Sequence, residues 1–145
     1  MYDDVLVPTD GSAAAEAALA AATDLQSGRI HALSVVDDRA FLLLDDDLVE
    51  EVRAEHEAER ERTLEAATAL DPAVEPVRRE GDPAEEILAY ADEAAVDAVV
   101  LGVGDPGYEE RLLGRVSERV IASARVPVLT VPTDGETEGL MNGRR

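Results

Sequence analysis

Asp97-Ala98-Val99-Val100-Leu101-Gly102-Val103-Gly104-Asp105-Pro106-Gly107 is the stretch that decides the fold. Ala98 to Leu101 is apolar without alternation, so it reads as a strand buried on both faces, and such strands belong to parallel sheets. It empties into a Gly-rich loop, Gly102 to Gly114, which leads into a helix ending near Ala124. The same unit repeats upstream. Val5-Leu6-Val7 ends in the turn Pro8-Thr9-Asp10-Gly11, and Ser12 to Leu25 is mostly Ala, a helix slim enough to lie close on a sheet. Ile30 to Val36 is a second strand, closed by Asp37-Asp38. After the apolar patch Phe41 to Leu44, an acidic helix runs from about Asp47 to Leu70, with Val49, Val52, His56, Thr63, Ala67 and Leu70 recurring on one face. Ala73 to Arg79 is a weaker strand that Pro76 assigns to a sheet edge. Asp82 as N-cap, Pro83 at the first helical position and Glu85 completing a capping box start the next helix, whose buried face is Ile87, Leu88, Ala91 and Ala95. Val126 to Val131 is the last strand, and the polar tail from Thr133 to Arg145 is expected to be disordered.

Five strands separated by four helices predict a single doubly wound α/β domain over residues 1–132. Right-handed crossovers and a reversal beside the first strand give a parallel sheet of order 3-2-1-4-5 with helices on both faces, a Rossmann-like arrangement. Ligands of such sheets bind beyond the carboxyl ends of the strands at the switch point, where the loops Pro8 to Ser12 and Gly102 to Gly114 meet. Glycines there let backbone N–H groups approach an anion, and a helix starting near Arg115 would add its N-terminus to a phosphate site. A plain turn around Asp105-Pro106-Gly107 also accounts for the glycines.

Composition narrows the chemistry. The 145 residues carry 33 acidic and 13 basic side chains, a net charge of −20, and every basic one is Arg. Without Lys, P-loop hydrolysis, Schiff-base chemistry and receiver-type phosphorelay are excluded. Without Cys, so are thiol chemistry and cysteinyl metal centres. The field has the wrong sign for nucleic acid, and no apolar run approaches the ~18 residues of a membrane span. At ~1 M salt the Debye length falls to about 3 Å, so this charge is tolerable there, and the composition reads as that of a halophile's cytoplasmic protein. The N-terminus shows no targeting pattern. His31 and His56 are too few and too separated for a metal constellation, and His56 is expected to pack rather than ligate.

Taken in order, Val5 to Ser12, Leu33-Ser34-Val35-Val36-Asp37, Gly81-Asp82-Pro83, Asp97 to Gly102, Gly114 to Val120 and Pro127 to Val131 resemble the universal stress protein family over nearly all of residues 3–132. The resemblance implies a homodimeric α/β domain of the adenine nucleotide alpha hydrolase-like kind, many members of which bind ATP between the first-strand loop and the Gly-rich loop. It implies that Pro8, Thr9 and Asp10 line the base and ribose side, that Val35 meets adenine through its backbone, and that Leu101 bounds the pocket. Gly102, Gly104, Gly114, Arg115, Val116 and Ser117 then fall on the phosphate side.

The family's loop has Gly, two residues, Gly, nine residues, then Gly followed by Ser or Thr. Nine residues do separate Gly104 from Gly114, but only Val103 separates Gly102 from Gly104, and Arg115 stands where the hydroxyl is expected. Arg115 is therefore either a phosphate clamp or a solvated surface residue, and Ser117 either a replacement hydroxyl or an ordinary first-turn serine. Asp10 equally suits a helix cap. The expected function is a stress-response module that senses or stores ATP, accompanied by Mg²⁺, without an identifiable catalytic group. The alternative is a dimeric regulatory module of the same fold that has lost nucleotide. In either case Pro127 to Val131, an edge strand, is expected to join two copies, burying Val128 and Val131 mutually.

Overall fold

In the structure, a computed structural model, residues 2–104 and 108–132 are described, without the side chains of Gln26, Ser27 and 108–114. The elements in chain order are β1 (Tyr2–Pro8), α1 (Ala13–Leu25), β2 (Gln26–Asp37), a short 3-10 helix (Asp38–Phe41), α2 (Asp46–Leu70), β3 (Val74–Gly81), α3 (Pro83–Glu93), β4 (Ala98–Val103), α4 (Tyr108–Ser123) and β5 (Val128–Pro132). The sheet is parallel throughout, in the order β3-β2-β1-β4-β5. This is the expected doubly wound topology. The tail from Thr133 and the turn Asp105-Pro106-Gly107 lie outside the described residues.

Val5, Leu6 and Val7 in the central strand are all fully buried because both sheet faces are covered. Val5 and Val7 belong to the layer under α1 and α2, and Leu6 to the layer under α3 and α4. The alanines of α1 let it sit close: Ala14, Ala18 and Ala22 are buried on its sheet side. On β4 the match is Gly102, where an added Cβ would lie 1.9 Å from the Ala14 carbonyl oxygen. That glycine has a packing reason before any ligand is considered.

Five local expectations are corrected. β2 begins at Gln26 rather than Ile30: Tyr2 pairs with Gln26 and Asp4 with Arg29, so the register shifts at Ser27-Gly28, which the strand absorbs as an irregularity instead of ending there. α4 begins at Tyr108, so Gly114 is the seventh residue of a helix and not the end of a loop. Tyr108 to Leu113 contains no breaker, and one interior glycine costs only about 1 kcal/mol. In α2 the buried positions are Leu64 and Ala67, whereas His56 and Leu70 are exposed. His56 lies at the flank of that face, its ring edge-on to buried Phe41 at 5.8 Å. Ala95 does not join the buried face of α3, because the helix ends at Glu93 and Ala95 is exposed with φ of 53°. Asp82 does cap α3, accepting from the Glu85 N–H at 3.0 Å, but the Glu85 carboxylate lies 3.9 Å from Arg119, which draws it away from the reciprocal half of a capping box.

His31 is a buried histidine with partners on both sides. Asp4 only accepts, so Nε2–H donates to its Oδ1 at 2.9 Å, and Nδ1 shares a second hydrogen bond with the Tyr90 hydroxyl at 2.6 Å. The His31 hydrogen bond holds the Asp4 carboxyl below its ordinary 3.8, partial burial opposes this, and Arg29 adds to the lowering. A depressed folded-state pKa gives stability that is present above the unfolded value and lost as pH falls through the folded one. Asp4→Asn is therefore expected to be less stable than the parent at pH 7, with the gap closing below about pH 4. Urea unfolding at pH 7 and pH 3 measures it, and a pH-independent gap contradicts the assignment.

Candidate functional site

The carboxyl ends of β1 and β4 open into a cleft of about 410 Å³, walled by the ends of β1, β2 and β4 and the starts of α1 and α3, with residues 115–119 of α4 closing one side. Each wall follows from local chemistry. Thr9 is buried and its N–H donates to the Leu33 carbonyl at 2.8 Å, which pins the end of β1 to β2. Asp10 folds the turn rather than capping the helix: its Oδ1 accepts from the Ser12 N–H at 3.0 Å, and Ser12 is the cap, its Oγ accepting from the Ala15 N–H at 3.2 Å. Leu33, Val35, Ala84, Ile87 and Leu101 give an apolar floor.

Among the described residues six ionisable ones surround that floor, Asp10, Asp37, Asp82, Arg39, Arg115 and Arg119. Arg39 clasps Asp37 with two nitrogens, Nε at 2.9 Å from Oδ1 and Nη2 at 2.6 Å from Oδ2. This contact, opposed by partial burial, keeps the Asp37 carboxyl below the usual carboxylate range. Arg119 donates to Asp82 Oδ2 at 3.0 Å, tying α4 to the cap of α3. Such a wall suits a ligand with one flat apolar end and one anionic end.

The model of the Universal stress protein family matches residues 1–132. The chain belongs to that family. A curated relative, universal stress protein MJ0531 of Methanocaldococcus jannaschii, is 33% identical over 141 residues, covering 90% of this chain and 82% of its own length. The solved structure of MJ0577 superposes with a TM-score of 0.79 at 30% identity, covering 93% of this chain and 99% of that one. Two more distant structures share the fold. A universal stress protein in complex with cAMP has a TM-score of 0.64 at 24% identity, covering 90% and 97%, and an Arabidopsis thaliana family protein with AMP bound has 0.70 at 18%, covering 93% and 94%.

In this universal stress protein, Pro8, Thr9, Asp10, Val35, Leu101, Gly102, Arg115, Val116 and Ser117 all line the one cleft. Gly104 is not among its described lining residues. Gly104 ends β4 with φ of 92°, a conformation that favours glycine, and Gly114 is inside α4. The expectation of a helix N-terminus at Arg115 is thus corrected: among the described residues Arg115 contributes a guanidinium from a later turn of α4 instead of standing at its start. Asp37, Arg39, Asp82 and Arg119 were not expected in the site. The acidic pair closing the second strand was the sequence signal for Asp37, since β2 ends beside β1 at the same rim, and Asp82 was marked only as a helix cap.

A second cleft of about 630 Å³ lies between α1 and α2 and shares Thr9 and Asp10 with the first. Its charged wall is Asp10, Glu16 and Glu59 against Arg62, a field that disfavours an anion. Among the described residues no group of three or more His, Asp or Glu is placed to hold a metal ion, and no helix is long and apolar enough to cross a membrane.

Proposed function

We propose that this universal stress protein binds an adenine nucleotide, ATP accompanied by Mg²⁺, in the β1/β4 cleft, and senses or stores it without turning it over. One observation carries the reading: the sheet's switch point holds a cleft whose floor is apolar and whose rim carries three guanidinium groups. Its size falls within the ~300–1,000 Å³ usual for small-molecule sites, and the floor suits a base. The cAMP and AMP complexes of more distant family members agree with a ligand of this class. No residue is assigned a catalytic role.

In molar KCl, ATP at about a hundred times its Kd is expected to stabilise the protein by about 2.7 kcal/mol, a melting shift of roughly 5–10 °C, with adenosine doing much less. Equal shifts would remove the phosphates from the reading. No shift with either would favour the partner-only module.

The proposal extends to a cytoplasmic, salt-adapted homodimer joined through β5, which is an edge strand of the sheet. Val128 packs in the α3 and α4 layer and Val131 in the α1 and α2 layer, so the two lie on opposite faces and do not form one contact patch. The outer backbone edge of β5, unpaired among the described residues and carrying exposed Thr130, is the better candidate for pairing. Light scattering in molar KCl should give a dimer for the parent and a monomer for Thr130→Asp. A monomeric parent, or a dimeric variant, contradicts the β5 interface.

A further inference from the structure

The rim of the cleft departs from the rest of the molecule in its charge. The whole chain carries −20, yet among the described residues three Arg balance three Asp around the cleft. Two of those guanidiniums are held by carboxylates that also line the cleft, Arg39 by Asp37 and Arg119 by Asp82. Among the described residues Arg115, also exposed, has no ion-pair partner. Side chains of Arg39 and Arg119 are more than half exposed, so both guanidiniums are free to re-aim at modest cost. A guanidinium fork matches phosphate oxygens as well as it matches a carboxylate.

Resting on the nucleotide reading above, we propose that Arg39, Arg115 and Arg119 form a guanidinium rim that grips the phosphate chain, with Asp37 and Asp82 as internal counter-ions that the phosphates displace. The rim holds the anionic end of the ligand, with Arg115 standing directly after Gly114. It also sets specificity. One phosphate is met by the unpaired Arg115, whereas each further phosphate draws a guanidinium away from its aspartate. Affinity therefore climbs from AMP to ADP to ATP, and Asp37 and Asp82 oppose the climb.

Affinities of adenosine, AMP, ATP and inorganic tripolyphosphate for the full chain, measured by calorimetry at one fixed KCl concentration, test this. Arg39→Gln and Arg119→Gln should each lower the ATP-to-AMP affinity ratio roughly tenfold, while adenosine changes less than about twofold. Asp37→Asn and Asp82→Asn should act oppositely, tightening ATP by roughly threefold or more, because they free the guanidinium and remove a negative charge. Asn also caps a helix, so Asp82→Asn spares α3. A gain of binding is a readout that mere damage to the fold does not produce. An unchanged ATP-to-AMP ratio in the Arg variants, an equal loss of adenosine and ATP, or weaker ATP binding by the Asn variants would overturn the rim. Tripolyphosphate bound through the three Arg without any preference for adenosine compounds would keep the rim and remove the adenine reading. A parent that binds neither ATP nor tripolyphosphate overturns both.

Discussion

Gly102→Ala is expected to lower stability by about 3 kcal/mol or more, a loss of roughly 10 °C in melting temperature. The added Cβ would fall 1.9 Å from the Ala14 carbonyl oxygen and 2.3 Å from its carbon. Both are backbone atoms of α1, so neither has a rotamer to move into. Relief requires lifting α1 off β4, which opens the layer containing Ala18, Ala22 and Val100. The cleft suffers too, because Ser12 and Ala15 line it from the same helix turn. Had Gly102 been needed only for close approach of a phosphate, the change would weaken binding and leave the melt in place. Thermal unfolding in molar KCl without nucleotide separates the two, and an unaltered melting temperature contradicts the packing role.

Raising KCl from about 10 mM to molar is expected to raise the melting temperature by roughly 20 °C or more. The excess of twenty negative charges repels itself more in the folded volume than in the expanded chain. Smearing that charge over the radii expected for a chain of this length, the relief on shortening the Debye length from about 30 to about 3 Å is on the order of 10 kcal/mol. Salt also weakens the surface ion pairs, such as Arg78 with Glu61 and Arg79 with Glu93, but exposed pairs are worth only about 0–1 kcal/mol each. Repulsion therefore decides the sign. A melting temperature that is flat or falls with KCl would contradict adaptation to high salt.

The topology was legible because every strand of the sheet announces itself locally. Unbroken apolar runs at Val5 to Val7 and Ala98 to Leu101 place β1 and β4 in the middle, and Pro76 marks an edge. Element boundaries misled where a residue suits two roles. Residues 26–29 lack an apolar strand pattern yet belong to β2, with a register shift at Ser27-Gly28, and Gly114 suggests a loop end and serves in a helix, because tertiary packing overrides single-residue propensity.

The site divides in the same way. The loop after β1 and residues 115–117 were found from topology and family pattern, and the cleft does bring them together. Arg39 and Arg119 were not, since each looks from sequence like a solvated charge, and only the folded sheet brings residues 80 positions apart to one rim. Asp82 was found as a cap, but its second role, accepting from Arg119, depends on where α4 passes α3. His31 likewise offered no sequence sign of its Tyr90 and Asp4 partners, which lie 59 and 27 residues away.

Hydrogen exchange of the full chain in molar KCl, with and without saturating ATP and Mg²⁺, tests most directly whether the cleft beyond β1 and β4 is the nucleotide site. The account predicts slowed exchange at the amides of Thr9 to Ser12, Asp37 to Arg39, Ala84 and Arg115 to Arg119, with little change along α2. Protection confined to the groove between α1 and α2, around Glu16, Glu59 and Arg62, or no protection anywhere at saturating ATP, would contradict it.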